Sequence, residues 1–268
     1  MGRIKYGFVW ALAWALIFSN AGWGYSAGST APAGPKQAAA DTGNPSKSYT
    51  QQIWDEYYPF YRKILNLPFN QELLSGKLEE RVFKDYIIQD YHYLQNYRKV
   101  HGILLAKAPD EAAMKYMVNL INEIDKEIAH IHEHYIEKFR ITREELMNSP
   151  SWPGTEFYNS FLVKTASMEP FEVGLMATLP CRWIYYQLGV DMKQSGKAGD
   201  SKYREWIDGY WEGPWETSET RKAVEFTEKY MRATTDGNRV KMKKAYETAM
   251  KLEYMFWDGV YRGMKWVE

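Results

Sequence analysis

The sequence predicts an all-α protein, a bundle of roughly eight or more helices. Three observations carry this. Beyond residue 48, apolar and aromatic residues recur three and four positions apart, the period of a helix with one buried face. No stretch alternates apolar and polar residues as a half-buried strand would, and no segment repeats. The breaks between periodic stretches are short and rich in Pro, Gly, Asp and Ser.

The elements follow in order. Residues 49–64 carry Ile53, Trp54, Tyr57, Tyr58 and Phe60, an aromatic stripe at helical spacing. Pro68 interrupts, and Gln71–Lys77, with Gly76 near its end, reads as a short turn. Residues 79–107 form a long helix on Phe83, Tyr86, Ile87, Tyr93, Leu94, Tyr97 and Val100. Pro109 and Asp110 open the next helix, which runs to Phe139 with proline in its first turn. Thr142 followed by Glu145 is a capping-box pattern. Ser149–Gly154 reads as a loop. Helices over 155–168, 170–194, 201–211, 216–235 and 239–264 complete the bundle, with breaks at Ser195–Gly199 and Asp236–Gly237.

The N-terminus has another character. Arg3 and Lys5 precede an uncharged apolar run from Tyr6 to Phe18, and Ala21, Gly22, Gly24, Ser26 and Ala27 follow. This is the order of a secretory signal peptide over residues 1–28. The run is short against the roughly 20 apolar residues of a membrane span, so an uncleaved anchor is the second reading. Residues 29–48, rich in Ala, Gly, Pro, Ser and Thr, read as a flexible linker. The helical domain is then 49–268, and the protein is expected to be exported, periplasmic or secreted.

Lys+Arg and Asp+Glu number 34 each, so there is no basic field for nucleic acid. Lys241–Lys244 reads as a solvated helix face. Cys181 is the one cysteine, which excludes an intrachain disulfide. His130 and His134 share a helix face, but His132 points elsewhere and no third ligand is evident. Neither a metal nor another cofactor is expected.

Four phrases could carry chemistry. In Gln89-Asp90-Tyr91-His92-Tyr93-Leu94, Asp90 shares its face with Tyr86, Tyr93 and Tyr97. A carboxylate there either bonds a neighbouring Tyr hydroxyl or receives a ligand's amino group or ring nitrogen. In Leu179-Pro180-Cys181-Arg182-Trp183-Ile184-Tyr185-Tyr186, a proline bends the helix just before the thiol, and Tyr185 lies one turn on. Cys181 is either a small buried hydrophobe or a nucleophile that needs a base. In Glu253-Tyr254-Met255-Phe256-Trp257, Glu253 is either ion-paired or an acid/base raised in pKa by its aromatic face. Trp206-Ile207-Asp208-Gly209-Tyr210 places a Tyr at a helix end, over a pocket or in the core.

Taken together and in this order, the phrases resemble the TenA family, also called thiaminase II, in its cysteine-bearing branch. The resemblance covers residues 49–265. It implies a heme-oxygenase-like helical fold and a homotetramer. It also implies roles: Cys181 as nucleophile, Glu253 as acid/base, and Asp90 as the carboxylate that holds a pyrimidine. Tyr93, Tyr158, Tyr185 and Tyr210 would line the pocket. The implied reaction hydrolyses an aminomethylpyrimidine with release of ammonia, or cleaves thiamin into pyrimidine and thiazole. A protein that captures pyrimidine or thiamin without turnover is the alternative. The leader departs from the family's usual cytoplasmic setting and would place the enzyme where degraded thiamin arrives from outside.

Overall fold

The computed structural model describes residues 47–267, without the side chains of residues 130–133. The expected leader and most of the expected linker lie outside the described residues. No described helix is long and apolar enough to cross a membrane.

Helix α1 (Tyr49–Leu65) starts where the Ser48 hydroxyl accepts the Gln51 amide at 3.2 Å. The expected turn after it is a helix, α2 (Pro68–Ser75). Pro68 stands at its first position, where a missing N–H costs nothing, and Gly76 closes it at φ 72°. Proline there starts an element rather than ending one. Helix α3 (Glu80–Ala106) follows as expected.

Helix α4 (Glu111–His130) is capped by Asp110, whose Oδ1 accepts the Ala113 amide at 2.7 Å. Pro109 therefore precedes the cap and is not in the first turn. The rod continues through a π-helical stretch (Ile131–Ile136) into α5 (Glu137–Phe139). Its hydrogen-bond period widens over one stretch, which apolar spacing does not reveal. In α6 (Arg143–Asn148) both halves of the Thr142–Glu145 capping box form, at 3.0 and 3.2 Å.

Helix α7 (Pro153–Met168) begins inside the expected loop, again with proline at its first position. Helix α8 (Phe171–Ser195) runs unbroken through Pro180. Gly196 and a 3-10 turn (Lys197–Asp200) lead into α9 (Arg204–Gly209). A second 3-10 turn (Trp215–Thr217) precedes α10 (Glu219–Ala233). Helix α11 (Asp236–Arg262) is capped by the Thr235 hydroxyl, so Asp236–Gly237 forms its first turn and is not a break. The side-chain cap outweighs the low helix propensity of that pair.

Helix α8 is buried on most of its circumference and packs against α11, α7 and α10. Helix α3 packs against α4 and α7, and α11 closes on α7 and α3 as well. Trp54 of α1 stacks on Trp183 of α8, with centroids 4.6 Å apart and planes within 3°. Such large side chains contribute about 1.5–3 kcal/mol each on full burial. Glu228 of α10 ties down the start of α1: its carboxylate accepts the Tyr49 and Thr50 amides and the Thr50 hydroxyl. The faces of α3, α7, α8 and α11 that meet at the centre carry the residues of interest.

Candidate active site

Helix α8 places Cys181 and Tyr185 one turn apart on one face. Helix α3 offers Asp90 and Tyr93 in the same way, α7 brings Tyr158, α11 brings Glu253, and Tyr210 follows α9. All seven converge. The Tyr158 hydroxyl donates to Glu253 Oε1 at 3.0 Å. The Tyr93 and Tyr158 rings are 5.0 Å apart, and Tyr185 and Tyr210 meet edge to face at 5.1 Å. Glu253 and Cys181 are mutual neighbours, and Tyr93 lies beside the thiol. Cys181 and Tyr185 keep part of their surface accessible, whereas Tyr93, Tyr158 and Glu253 are buried.

Close backbone approach makes this convergence. At Gly154, a Cβ would sit 3.0 Å from the Met255 carbonyl oxygen, a tight contact that glycine avoids where the start of α7 touches α11. Tyr158 lies one turn beyond and faces Glu253. At Gly189, a Cβ would sit 2.6 Å from the Tyr210 carbonyl carbon and 3.0 Å from the Trp211 nitrogen. Its absence seats Tyr210 against α8 near Tyr185. Gln89, beside Asp90, clamps α7 to α3: its Oε1 accepts the Trp152 amide and the Thr155 hydroxyl, each at 2.8 Å.

The electrostatics are those of a largely buried, acidic centre. Burial lifts the Glu253 pKa to about 7, while the Tyr158 hydrogen bond and the neighbouring Cys181 and Trp257 hold it from rising further. Burial also pushes Asp90 well above the usual carboxylate range, and the neighbouring Glu127 and Glu253 charges add to it. Asp90 makes no ion pair or hydrogen bond with another side chain among the described residues, so the Tyr-bonded alternative is not what the structure shows. Burial, then the Glu253 charge, raises the Cys181 thiol, and the Tyr93 hydroxyl opposes this. At neutral pH the centre holds a protonated thiol beside a carboxyl poised to take its proton.

Glu253 forms no ion pair with a Lys or Arg among the described residues; Tyr158 is its partner. Gly154 and Gly189 were not singled out in the sequence as parts of this centre, and Gln89 and Trp206 stand there only inside phrases, without a role of their own. A Gln next to Asp90 and a Gly one turn after Tyr185 were the available signals. Among the described residues no group of three or more His, Cys, Asp or Glu could hold a metal ion. His134 Nε2 bonds Glu205 Oε2 at 2.9 Å, and the side chains of His130, His132 and Glu133 lie outside the described residues.

Residues 50–263 match the TENA/THI-4/PQQC family. The chain belongs to this family. It is 28% identical over 214 residues to the aminopyrimidine aminohydrolase of Helicobacter pylori, covering 80% of this chain and 98% of that one. It is also 28% identical over 199 residues to the aminopyrimidine aminohydrolase of Bacillus subtilis, covering 74% and 84%. Among solved structures, a TenA homologue from P. horikoshii superposes with a TM-score of 0.71 at 23% identity, covering 81% of this chain and 99% of that one. A Shewanella denitrificans domain described as having a heme oxygenase-like fold gives 0.62 at 16% identity, covering 80% and 92%. This TENA/THI-4/PQQC chain therefore has the heme-oxygenase-like fold that the resemblance implied.

Proposed function

We propose that this protein hydrolyses thiamin-related aminopyrimidines, converting 4-amino-5-aminomethyl-2-methylpyrimidine to its hydroxymethyl form with release of ammonia. The observation that carries the reading is the placement of Cys181 beside Glu253, with Asp90 in the same buried centre. Relatives named aminopyrimidine aminohydrolase support it.

Glu253 takes the thiol proton, and the Cys181 sulfur adds to the ring carbon next to the one bearing the exocyclic methylene. Aromaticity is lost, and the electron pair released from the ring expels the methylene's amino substituent. Glu253 passes the proton to that nitrogen, so ammonia leaves. Water then adds to the methylene carbon while Glu253 takes a proton from it. Departure of the sulfur restores the aromatic ring, and Glu253 returns the proton to the thiolate. Asp90 holds the ring through its amino group and adjacent nitrogen, and Tyr93, Tyr158, Tyr185 and Tyr210 frame it. Thiamin enters the same scheme with the thiazole as leaving group.

A leader at 1–28 would export the enzyme, and a homotetramer would cover exposed apolar residues such as Phe157 and Met255. The test is turnover by the purified chain, with aminomethylpyrimidine and thiamin offered separately and Cys181→Ser as control. Ammonia or thiazole release that disappears in the variant supports the reading. Tight binding without turnover, with the thiol shown to be reduced, replaces it by a capture protein.

A further inference from the structure

One wall of the centre is a chain of hydrogen bonds. The Trp206 indole Nε1 donates to the Tyr210 hydroxyl oxygen at 2.6 Å. The Tyr210 and Tyr86 hydroxyls are 3.5 Å apart, and those of Tyr86 and Tyr185 are 3.1 Å apart. Distances leave open which phenol donates in the last two links. Chemistry narrows the choice.

An indole N–H only donates, so the Tyr210 oxygen accepts there and its own proton remains for another partner. Each phenol brings one proton. Three phenol protons serve two phenol–phenol links, so one proton is left over whichever way the links run. Tyr86 is 0% exposed, and a surplus proton on it would be buried without an acceptor. The surplus therefore belongs to Tyr185 or Tyr210. Both lie near Asp90: its charge acts on Tyr185 and on Tyr210. This wall offers one hydroxyl donor toward the centre that also holds the Asp90 carboxyl.

We infer that Tyr86 and Trp206 are positioning residues that make the Tyr185–Tyr210 wall a hydrogen-bond donor to the bound ring. The inference rests on the aminopyrimidine reading and deepens it. Trp206 occupies a lone pair of Tyr210 and polarises its O–H bond. Tyr86 locks the Tyr185 and Tyr210 hydroxyls in relative orientation. When sulfur adds to the ring, negative charge develops on the ring nitrogens. A donor held against one of them binds that charge more strongly than the starting heterocycle. The chain thus acts on the chemical step more than on substrate capture.

At Tyr86 aromatic packing lets the bond be removed while the ring stays, and at Trp206 a phenyl ring keeps part of the indole's packing. Tyr86 stacks on Trp257 at 5.0 Å and meets Trp206 edge-on at 5.7 Å, contacts that a phenylalanine keeps. In the full chain, Tyr86→Phe and Trp206→Phe are each expected to lower kcat by about tenfold, the effect of one well-placed hydrogen bond. KM should change by less than about threefold, which is under 1 kcal/mol. The pH midpoint assigned to Glu253 and the Tm should stay in place. Tyr86→Phe should cost nothing further when Tyr185→Phe and Tyr210→Phe are already present.

Wild-type kcat in both single variants overturns the inference. So does a Tyr86→Phe loss that persists undiminished in the Tyr185→Phe/Tyr210→Phe background. Should Tyr86→Phe lower Tm sharply, Trp206→Phe decides by the same criteria. An inactive wild-type chain overturns the hydrolase reading and this inference with it, a result distinct from an active wild type whose variants match it.

Discussion

The Tyr158 hydroxyl donates to Glu253 Oε1 over 3.0 Å, joining α7 to α11 inside the core. That bond favours the ionised carboxylate and opposes the rise caused by burial. Removing it in Tyr158→Phe moves the Glu253 pKa further up. Less of the base is then ionised at pH 7. For a rise of about one unit the ionised fraction at pH 7 drops from about a half to about a tenth, so turnover at pH 7 is expected to fall about fivefold, and the loss should return at higher pH. A pH–rate profile of wild type and variant checks this.

The wild-type profile has its own sign. Glu253, with a pKa of about 7, must be ionised to take the thiol proton, so kcat/KM rises with pH through that value. The thiol is held above its ordinary range, so no thiol titration should appear on the alkaline side below it. In Glu253→Gln the acid limb should vanish along with most of the activity. Retention of the limb would assign it to another group.

Cys181→Ser should abolish turnover, by about 10³-fold or more, because a hydroxyl beside Glu253 is far harder to ionise than a thiol. Binding of an unreactive aminopyrimidine, followed by calorimetry, should survive. Asp90→Asn gives the complementary result, with binding weakened and the thiol still present to alkylating reagents.

Stability should depend on pH through the same carboxyls. The folded-state pKa of Glu253 lies above its unfolded value, as does that of Asp90. Between the two values the folded state binds more protons than the unfolded one, so stability falls as pH rises from about 4.5 toward 7. For Glu253 the loss is on the order of 3 kcal/mol. Urea unfolding at pH 5 and pH 8 measures it, and Glu253→Gln should narrow the difference.

Gly189→Ala tests how the site is assembled. The added Cβ meets the backbone of Tyr210 and Trp211, which has no soft side chain to yield. A cost of about 1–3 kcal/mol is expected. Tm would drop by about 2–4 °C per kcal/mol for a domain of this size, read by thermal unfolding. Turnover should fall as well, because Tyr210 moves away from Tyr185 and Tyr86.

Much of the site was legible because the helical period of 3.6 puts neighbours on one face. Tyr93 follows Asp90 by three positions and Tyr185 follows Cys181 by four, so each pair could be placed before any tertiary contact was known. Tyr158 was different. It stands one turn into a helix whose start reads as loop, since Pro153 and Gly154 look like breakers in a one-dimensional pattern. In three dimensions Pro153 starts the helix and Gly154 lets it approach α11.

The sequence by itself determined the helical class, the long helices on which six of the seven residues stand, and the four phrases that resemble the family's. These are local properties, written in spacing and residue type. Only the tertiary structure decided that Glu253 meets Tyr158 and Cys181 instead of a basic partner, that Asp90 is left without a side-chain bond, and that Trp206 and Tyr86 join the wall behind Tyr185. The physical reason is that burial, backbone approach and hydrogen-bond partners depend on residues far apart in the chain. A carboxyl's pKa is set by what packs around it, and no local pattern encodes that.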